Sequence, residues 1–241
     1  MNMKVPLICF LVFRVSLSLL QAQETVVVND PNARVRDVSS FERISVSSAI
    51  KLYLSPDDTE KVVVSANEDW ARDKIVTRVR NGVLEIFFDC KGSDCWRGDR
   101  RLKVYVGFRN LRELKASGAT NTFVNGVIKS DKFRLDVTGA SNFKGAIDAG
   151  DLEVDQSGAS DVRVSGRASS FRVDLSGASS LKGYELSADV IDIDVSGASS
   201  AQVNAVKELK VEASGASDVR YRGEGVLKDI NTSGASSVKK G

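Results

Sequence analysis

In the second half of the chain, apolar and polar residues alternate in short bursts that all stop at the same punctuation. In Phe171-Arg172-Val173-Asp174-Leu175 the apolar side chains occupy every second place, the pattern of a strand with one face buried and one face wet. The pattern returns in Phe133-Leu135-Val137, Ile191-Ile193-Val195 and Leu209-Val211-Ala213, and less cleanly in Leu152-Val154-Gln156 and Lys228-Ile230-Thr232. Each burst runs into a Gly-Ala step flanked by hydroxyl residues, with glycines at Gly118, Gly139, Gly158, Gly177, Gly197, Gly215 and Gly234. The gaps between them are 21, 19, 19, 20, 18 and 19 residues, and self-similarity at so short a period marks a solenoid. Four residues after the later glycines stands a second, mostly apolar position: Phe143, Val162, Leu181, Ala201, Val219 and Val238. The predicted unit is thus a strand, a tight Gly-Ala corner and another strand. No such unit buries its apolar face alone, so the coils stack into a single-stranded parallel β-helix, with corresponding residues about 4.8 Å apart along its axis.

The first half carries strand signals without the repeat. Ile44-Ser45-Val46, Ile50 to Leu54, Val62-Val63-Val64 and Val104-Tyr105-Val106 alternate, and Ser55-Pro56-Asp57-Asp58 has turn chemistry. Ile75 to Arg80 and Val83 to Phe88 flank Asn81-Gly82, which predicts a tight hairpin. Glu68 to Lys74 is long enough for a single helical turn. The expected organisation is a leader over 1–22, a polar lead-in over 23–36, an N-terminal β region over 37–110 and seven β-helical coils over 111–241, the last two continuous with each other.

Composition changes this picture at the ends more than in the middle. Lys4 precedes an apolar run from Val5 to Leu20, and Leu20-Gln21-Ala22 offers a cleavage site, the layout of a secretory leader. Of 34 basic residues, Lys4 and Arg14 lie in that leader, which leaves 32 against 32 acidic ones in the mature chain. That balance points away from nucleic acid as a partner. No later segment is apolar for long enough to span a bilayer as a helix. In an exported chain the close pair Cys90 and Cys95 predicts a local disulfide; with no histidine anywhere and no second cysteine pair, a metal site there is disfavoured.

An opening Phe41-Glu42-Arg43-Ile44, a hairpin ending Asn81-Gly82-Val83-Leu84-Glu85-Ile86, and Val104-Tyr105-Val106 leading into Leu114-Lys115-Ala116-Ser117-Gly118-Ala119 form an ordered series. With the repeated Ser-Gly-Ala-Ser and a late Val219-Arg220-Tyr221-Arg222-Gly223, the series resembles the head GIN domain family of auto-transporter adhesins of the bacterial envelope. The resemblance covers about residues 37–241. It implies a pectin-lyase-like β-helical fold without catalytic residues, in exported proteins that mediate adhesion.

Candidate chemistry is sparse. Lack of histidine excludes a Ser-His-Asp triad. Ser-x-x-Lys spacings at Ser141–Lys144, Ser179–Lys182 and Ser236–Lys239 arise from the repeat itself, without the companion motifs of Ser-Lys acylases. Asp136, Asp155, Asp174, Asp194 and Glu212 stand three residues before successive glycines and would stack in a column. Two residues earlier Arg134, Glu153, Arg172, Asp192, Lys210 and Asp229 alternate in sign, so a self-compensating ladder is expected rather than calcium sites. The hydroxyls around Gly-Ala are expected to bond to one another and to turn backbone rather than to sugars. The candidate ligand-binding segment is the least repetitive one, where Trp96 stands beside Arg97, Gly98 and Asp99 in the cysteine loop. A rigid aromatic with an adjacent arginine suits recognition of a glycan or protein, and Arg-Gly-Asp resembles the tripeptide that integrins read.

The sequence therefore predicts an all-β, exported, non-enzymatic protein of the periplasm, cell surface or extracellular space. Its expected partner is an extracellular glycan or protein, with no cofactor, no metal and no nucleic acid. A self-associating homo-oligomeric scaffold or a carbohydrate-binding module is the second reading, and a polysaccharide-active enzyme the third.

Overall fold

The computed structural model describes residues 30–92 and 100–241. The leader, Cys95 and the Trp96 to Asp99 segment lie outside the described residues. The repeat region is a stack of parallel strands, as its alternation requires. β9 (Asn121–Val137), β10 (Asn142–Gln156), β11 (Asp161–Leu175), β12 (Ser180–Val195) and β13 (Ser200–Ala213) pair in chain order. β14 (Asp218–Arg222), β15 (Val226–Thr232) and β16 (Ser237–Lys240) continue the stack. Register follows the repeat: Phe133, Leu152, Phe171, Ile191 and Leu209 lie directly above one another, all buried. The second inward position behaves likewise, with Phe143, Val162, Leu181, Ala201 and Val219 buried. Within β11 the alternation slips at Gly166-Arg167 and again at Ser169-Ser170, so the chain bends twice there while its ladder stays parallel.

The corner explains the Gly-Ala rule. Gly158 has φ +79°, and a Cβ there would lie 2.6 Å from the carbonyl oxygen of Gly139 one coil below. The following alanine N–H reaches down to that oxygen: Ala140 to Gly118 at 2.7 Å, Ala159 to Gly139 at 2.8 Å and Ala178 to Gly158 at 2.8 Å. Glycine permits the turn and the approach together, and the corners form a hydrogen-bonded column of their own.

Two further coils lie below the seven glycine corners. β2 (Arg43–Val46) and β3 (Lys51–Pro56) run parallel to β8 (Glu113–Ala116) and β9, joined by Ser47-Ser48-Ala49. Ser48 takes the glycine place with φ 76°, as the repeat glycines do, but Ala49 follows at φ 54° where the repeat alanines have no positive φ, so this corner turns with two left-handed residues and without the signature glycine. Below them, β6 (Val83–Phe88) pairs with β2 and β7 (Lys103–Phe108) with β3, both parallel. Between β6 and β7 of this bottom coil the chain carries no Gly-Ala step. Stacking order thus departs from chain order: the chain builds the β2–β3 coil, drops beneath it for β6 and β7, then climbs over it into β8.

The bottom is closed by antiparallel pairing. β4 (Lys61–Ser65) lies along β7, β1 (Arg34–Arg36) along β4, and β5 (Ile75–Arg80) along β6 through the predicted Asn81-Gly82 hairpin, whose residues have φ 51° and 73°. The one short helix, α1 (Asp69–Asp73), falls inside the predicted turn. In β15 the expected inward residue Ile230 is 39 % exposed, because β15 pairs with β13 on one side and no described strand pairs with its other.

Candidate functional site

Of the predicted binding loop only the flanks are described. Cys90 follows β6, and Arg100 sets its guanidinium 5.1 Å from the ring of Phe88 just before β7. The hydroxyls that follow each Gly-Ala step are turned inward, whereas those that precede it, from Ser117 to Ser214, are half-buried. Thr120, Ser141, Ser160, Ser179, Ser199 and Ser217 are all buried. Ser179 donates to the Ser176 carbonyl at 3.0 Å and to Ser199 Oγ at 3.2 Å, and Ser217 to the Ser214 carbonyl at 2.9 Å. Ser179 points inward while Lys182 is exposed, so the Ser-x-x-Lys spacing divides its two members between opposite sides of the wall.

On the face preceding the corner the acidic column forms in register, Asp136, Asp155, Asp174, Asp194 and Glu212 lying above one another. Much of it is compensated, as the alternation predicts. Arg134 bridges Glu153 at 2.9 Å and Asp155 at 2.8 Å, and Lys210 reaches Glu212 at 2.9 Å and Asp192 at 4.0 Å. Arg172, the third cation of the column, forms no ion pair among the described residues. No three carboxylates converge as a metal cage among the described residues. Burial, and then repulsion from Asp174 and Glu212, raises the Asp194 carboxyl above its ordinary value. Asp155 is raised in the same way, with Arg134 opposing. An acid whose folded pKa is raised lowers stability where it is ionised. Asp194→Asn is therefore expected to stabilise the protein by about 0.5 kcal/mol at pH 7, a modest gain because the site is solvent-screened. The gain should fade as pH falls through the raised folded value and vanish below the ordinary aspartate value of 3.8, where the carboxyl becomes protonated in both states. Melting curves of both proteins across that range check it.

Across the corner the outer face is different in kind. The residue five places after each glycine projects outward, and these residues form one column: Lys144, Arg163, Lys182, Gln202, Arg220 and Lys239. The five cations are exposed. Below Lys144 the same column continues as Phe123, Tyr53 and Tyr105. Their rings stack, with centroids 5.0 Å apart for Tyr53–Tyr105 and 5.6 Å for Tyr53–Phe123. Burial raises the Tyr105 hydroxyl above its ordinary pKa, so it stays a neutral donor. A depression of about 260 Å³ opens beside Tyr53 and Tyr105, edged by Asp57, Lys61 and Asn125. Next to the cations runs a polar column: Asn121, Asn142, Asp161, Ser180, Ser200, Asp218 and Ser237. Sequence reasoning met this column only as the recurring Ser-x-x-Lys. Aligning the repeats on glycine and reading the fifth following residue would have exposed it.

A family model described as "Putative auto-transporter adhesin, head GIN domain" matches residues 40–225. The chain belongs to this family. Solved structures share the head GIN domain protein's fold at low identity. One, titled a putative adhesin from Bacteroides fragilis, has a TM-score of 0.80 at 17 % identity and covers 86 % of this chain and 95 % of its own. Another, titled a putative adhesin from Parabacteroides distasonis, has a TM-score of 0.71 at 21 % identity, covering 87 % and 96 %. A third, titled a putative lipid binding protein from Parabacteroides distasonis, has a TM-score of 0.67 at 17 % identity, covering 89 % and 98 %. No curated protein matches the chain. Among the described residues no helix of this head GIN domain protein is long and apolar enough to cross a membrane.

Proposed function

We infer that this head GIN domain protein is an exported, non-enzymatic binding protein with an adhesin-like role at the bacterial cell envelope or outside it. The observation that carries this reading is the contrast between the protein's interior and its faces. The hydroxyls after each Gly-Ala step are turned inward and tied to turn backbone, whereas long in-register columns of charged and aromatic side chains face outward along the stack. Such a surface suits recognition of an extended partner. The adhesin titles of the family and of two fold neighbours favour the same reading. The apolar leader favours export, to the periplasm, the surface or the medium. The spacing of Cys90 and Cys95 favours a disulfide, and the sequence of Trp96 to Asp99 beside it favours a second contact point there.

Binding of the full chain to bacterial and host cells, matrix proteins and glycans tests this. Saturable binding is expected to at least one class. If the loop is a contact, Trp96→Ala combined with Asp99→Ala weakens binding about tenfold or more, the scale of losing an aromatic anchor. Absence of binding to every class would overturn the adhesin reading.

A further inference from the structure

The two faces that meet at the Gly-Ala corner are built on opposite electrostatic plans. On the acidic face, neighbouring coils place cations among the carboxylates, and Arg134 and Lys210 each reach two of them. On the other face Lys144, Arg163 and Lys182 lie directly opposite one another on successive strands, and Arg220 and Lys239 do so again two coils further. Like charges directly opposite across strands destabilise a sheet. Two carboxylates answer five cations: Asp161 stands 4.0 Å from Lys182, and Asp218 pairs with Arg220 at 2.9 Å. Among the described residues, Lys144, Arg163 and Lys239 pair with no carboxylate. The acidic face keeps a surplus of carboxylates and this face a surplus of cations, so this face has positive charge to offer a ligand.

We propose that this face binds a linear anionic polysaccharide, a polyuronate or sulfated glycan, laid along the axis of the rod. The column supplies a positive side chain on three successive coils and, beyond the Gln202 coil, on two more, at about 4.8 Å per coil, a repeat comparable with one pyranose ring. The adjacent column supplies hydrogen-bonding groups a sugar needs: Asn121, Asn142 and Ser180 lie two residues before Phe123, Lys144 and Lys182 on the same outward face, and Ser200 two before Gln202, with Asp161 and Asp218 in the same column. Asn142 already donates to Asn121 at 2.9 Å, which orders the pair. At the lower end of the column Phe123, 37 % exposed, borders Lys144 and a depression of about 230 Å³ that reaches Arg163 and Lys182. An apolar ring edge beside cations and amides fits a sugar ring that has both apolar and acidic parts. A bare polyphosphate would use the cations but neither the amides nor the ring.

This inference rests on the reading of the protein as an extracellular binder, and its test separates the two. The probe is polygalacturonate, with dextran as the neutral polymer, added to the full chain in low salt. Saturable binding to polygalacturonate, absent for dextran and weakened by salt, is expected. The triple variant Lys144→Glu, Arg163→Glu, Lys182→Glu should lose at least about tenfold in affinity, since charge-assisted contacts become repulsions. Lys129→Glu with Arg167→Glu, two exposed cations on another side of the coil, should bind as the parent does. Unchanged melting temperatures would show that the variants fold. Equal binding by parent and triple variant, or none by either, overturns the proposal. If cells are still bound equally by both, the glycan assignment fails and the adhesin reading stands; if neither polymer nor cells are bound, both fail. Self-association that the triple variant abolishes, without polygalacturonate binding, overturns the proposal in favour of a second copy whose acidic face sits on this one.

Discussion

Gly166→Ala is expected to destabilise the protein by about 4 kcal/mol, lowering the melting temperature by roughly 10 °C for a chain of this size. Gly166 lies inside β11, where the strand bends, with φ +115°, a conformation that side-chain-bearing residues rarely adopt. A Cβ there would overlap the carbonyl oxygen of Ile147 in the coil below and sit 3.0 Å from its carbonyl carbon. These are backbone atoms held in a parallel ladder, so no side chain can swing aside to make room. Gly92→Ala separates the two causes. Gly92 also has a positive φ, +91°, but nothing lies within 4 Å of its would-be Cβ, so that variant should lose only about 1 kcal/mol. Equal losses at the two sites would show that close stacking is not what requires glycine at the bend.

Phe171→Ala should cost about the same, 3–5 kcal/mol, for a different reason. Phe171 is 1 % exposed and sits between Leu152 and Ile191 in the central inward column. Truncation opens a cavity between three coils whose spacing is fixed by backbone hydrogen bonds, so the wall cannot collapse into it. Phe171→Leu should lose much less, about 1.5 kcal/mol or below, since most of the volume is kept. Denaturant melts of the two variants measure this directly. In a stack held by nearest-neighbour contacts, the alanine variant should also unfold over a broader range, as coils on either side of position 171 separate.

Both expectations depend on register, and register is what the sequence stated most clearly. Period-two alternation ending at Gly-Ala placed Phe171, Val173 and Leu175 inward and named their partners in the neighbouring coils, and the structure keeps those pairings. The two coils below the glycine corners were hidden for local reasons. Ser48 holds a positive φ in place of glycine, so the turn exists without its signature. The β6–β7 coil carries no Gly-Ala step, so the signature is absent altogether. Their stacking out of chain order rests on pairings such as Ile44 with Leu84 and Leu52 with Val104, far apart in sequence and without a motif to announce them. On the surface, the alternating ladder around Arg134 and Glu153 was legible because opposite charges in register declare their own partner. The cation column declares none. Read singly, each lysine or arginine is an ordinary solvated side chain, and only the stacking of coils turns five such cations into a feature.

The antiparallel strands at the bottom of the rod give the molecule a direction. β4 and β5 occupy the far edges of β7 and β6 and run against the coils, so a parallel strand can add only on the opposite edge. From β8 onward growth then follows residue number, each finished coil templating the next. Beyond that point a chain that emerges N-terminus first meets a template already in place, so assembly can keep pace with emergence, one coil at a time.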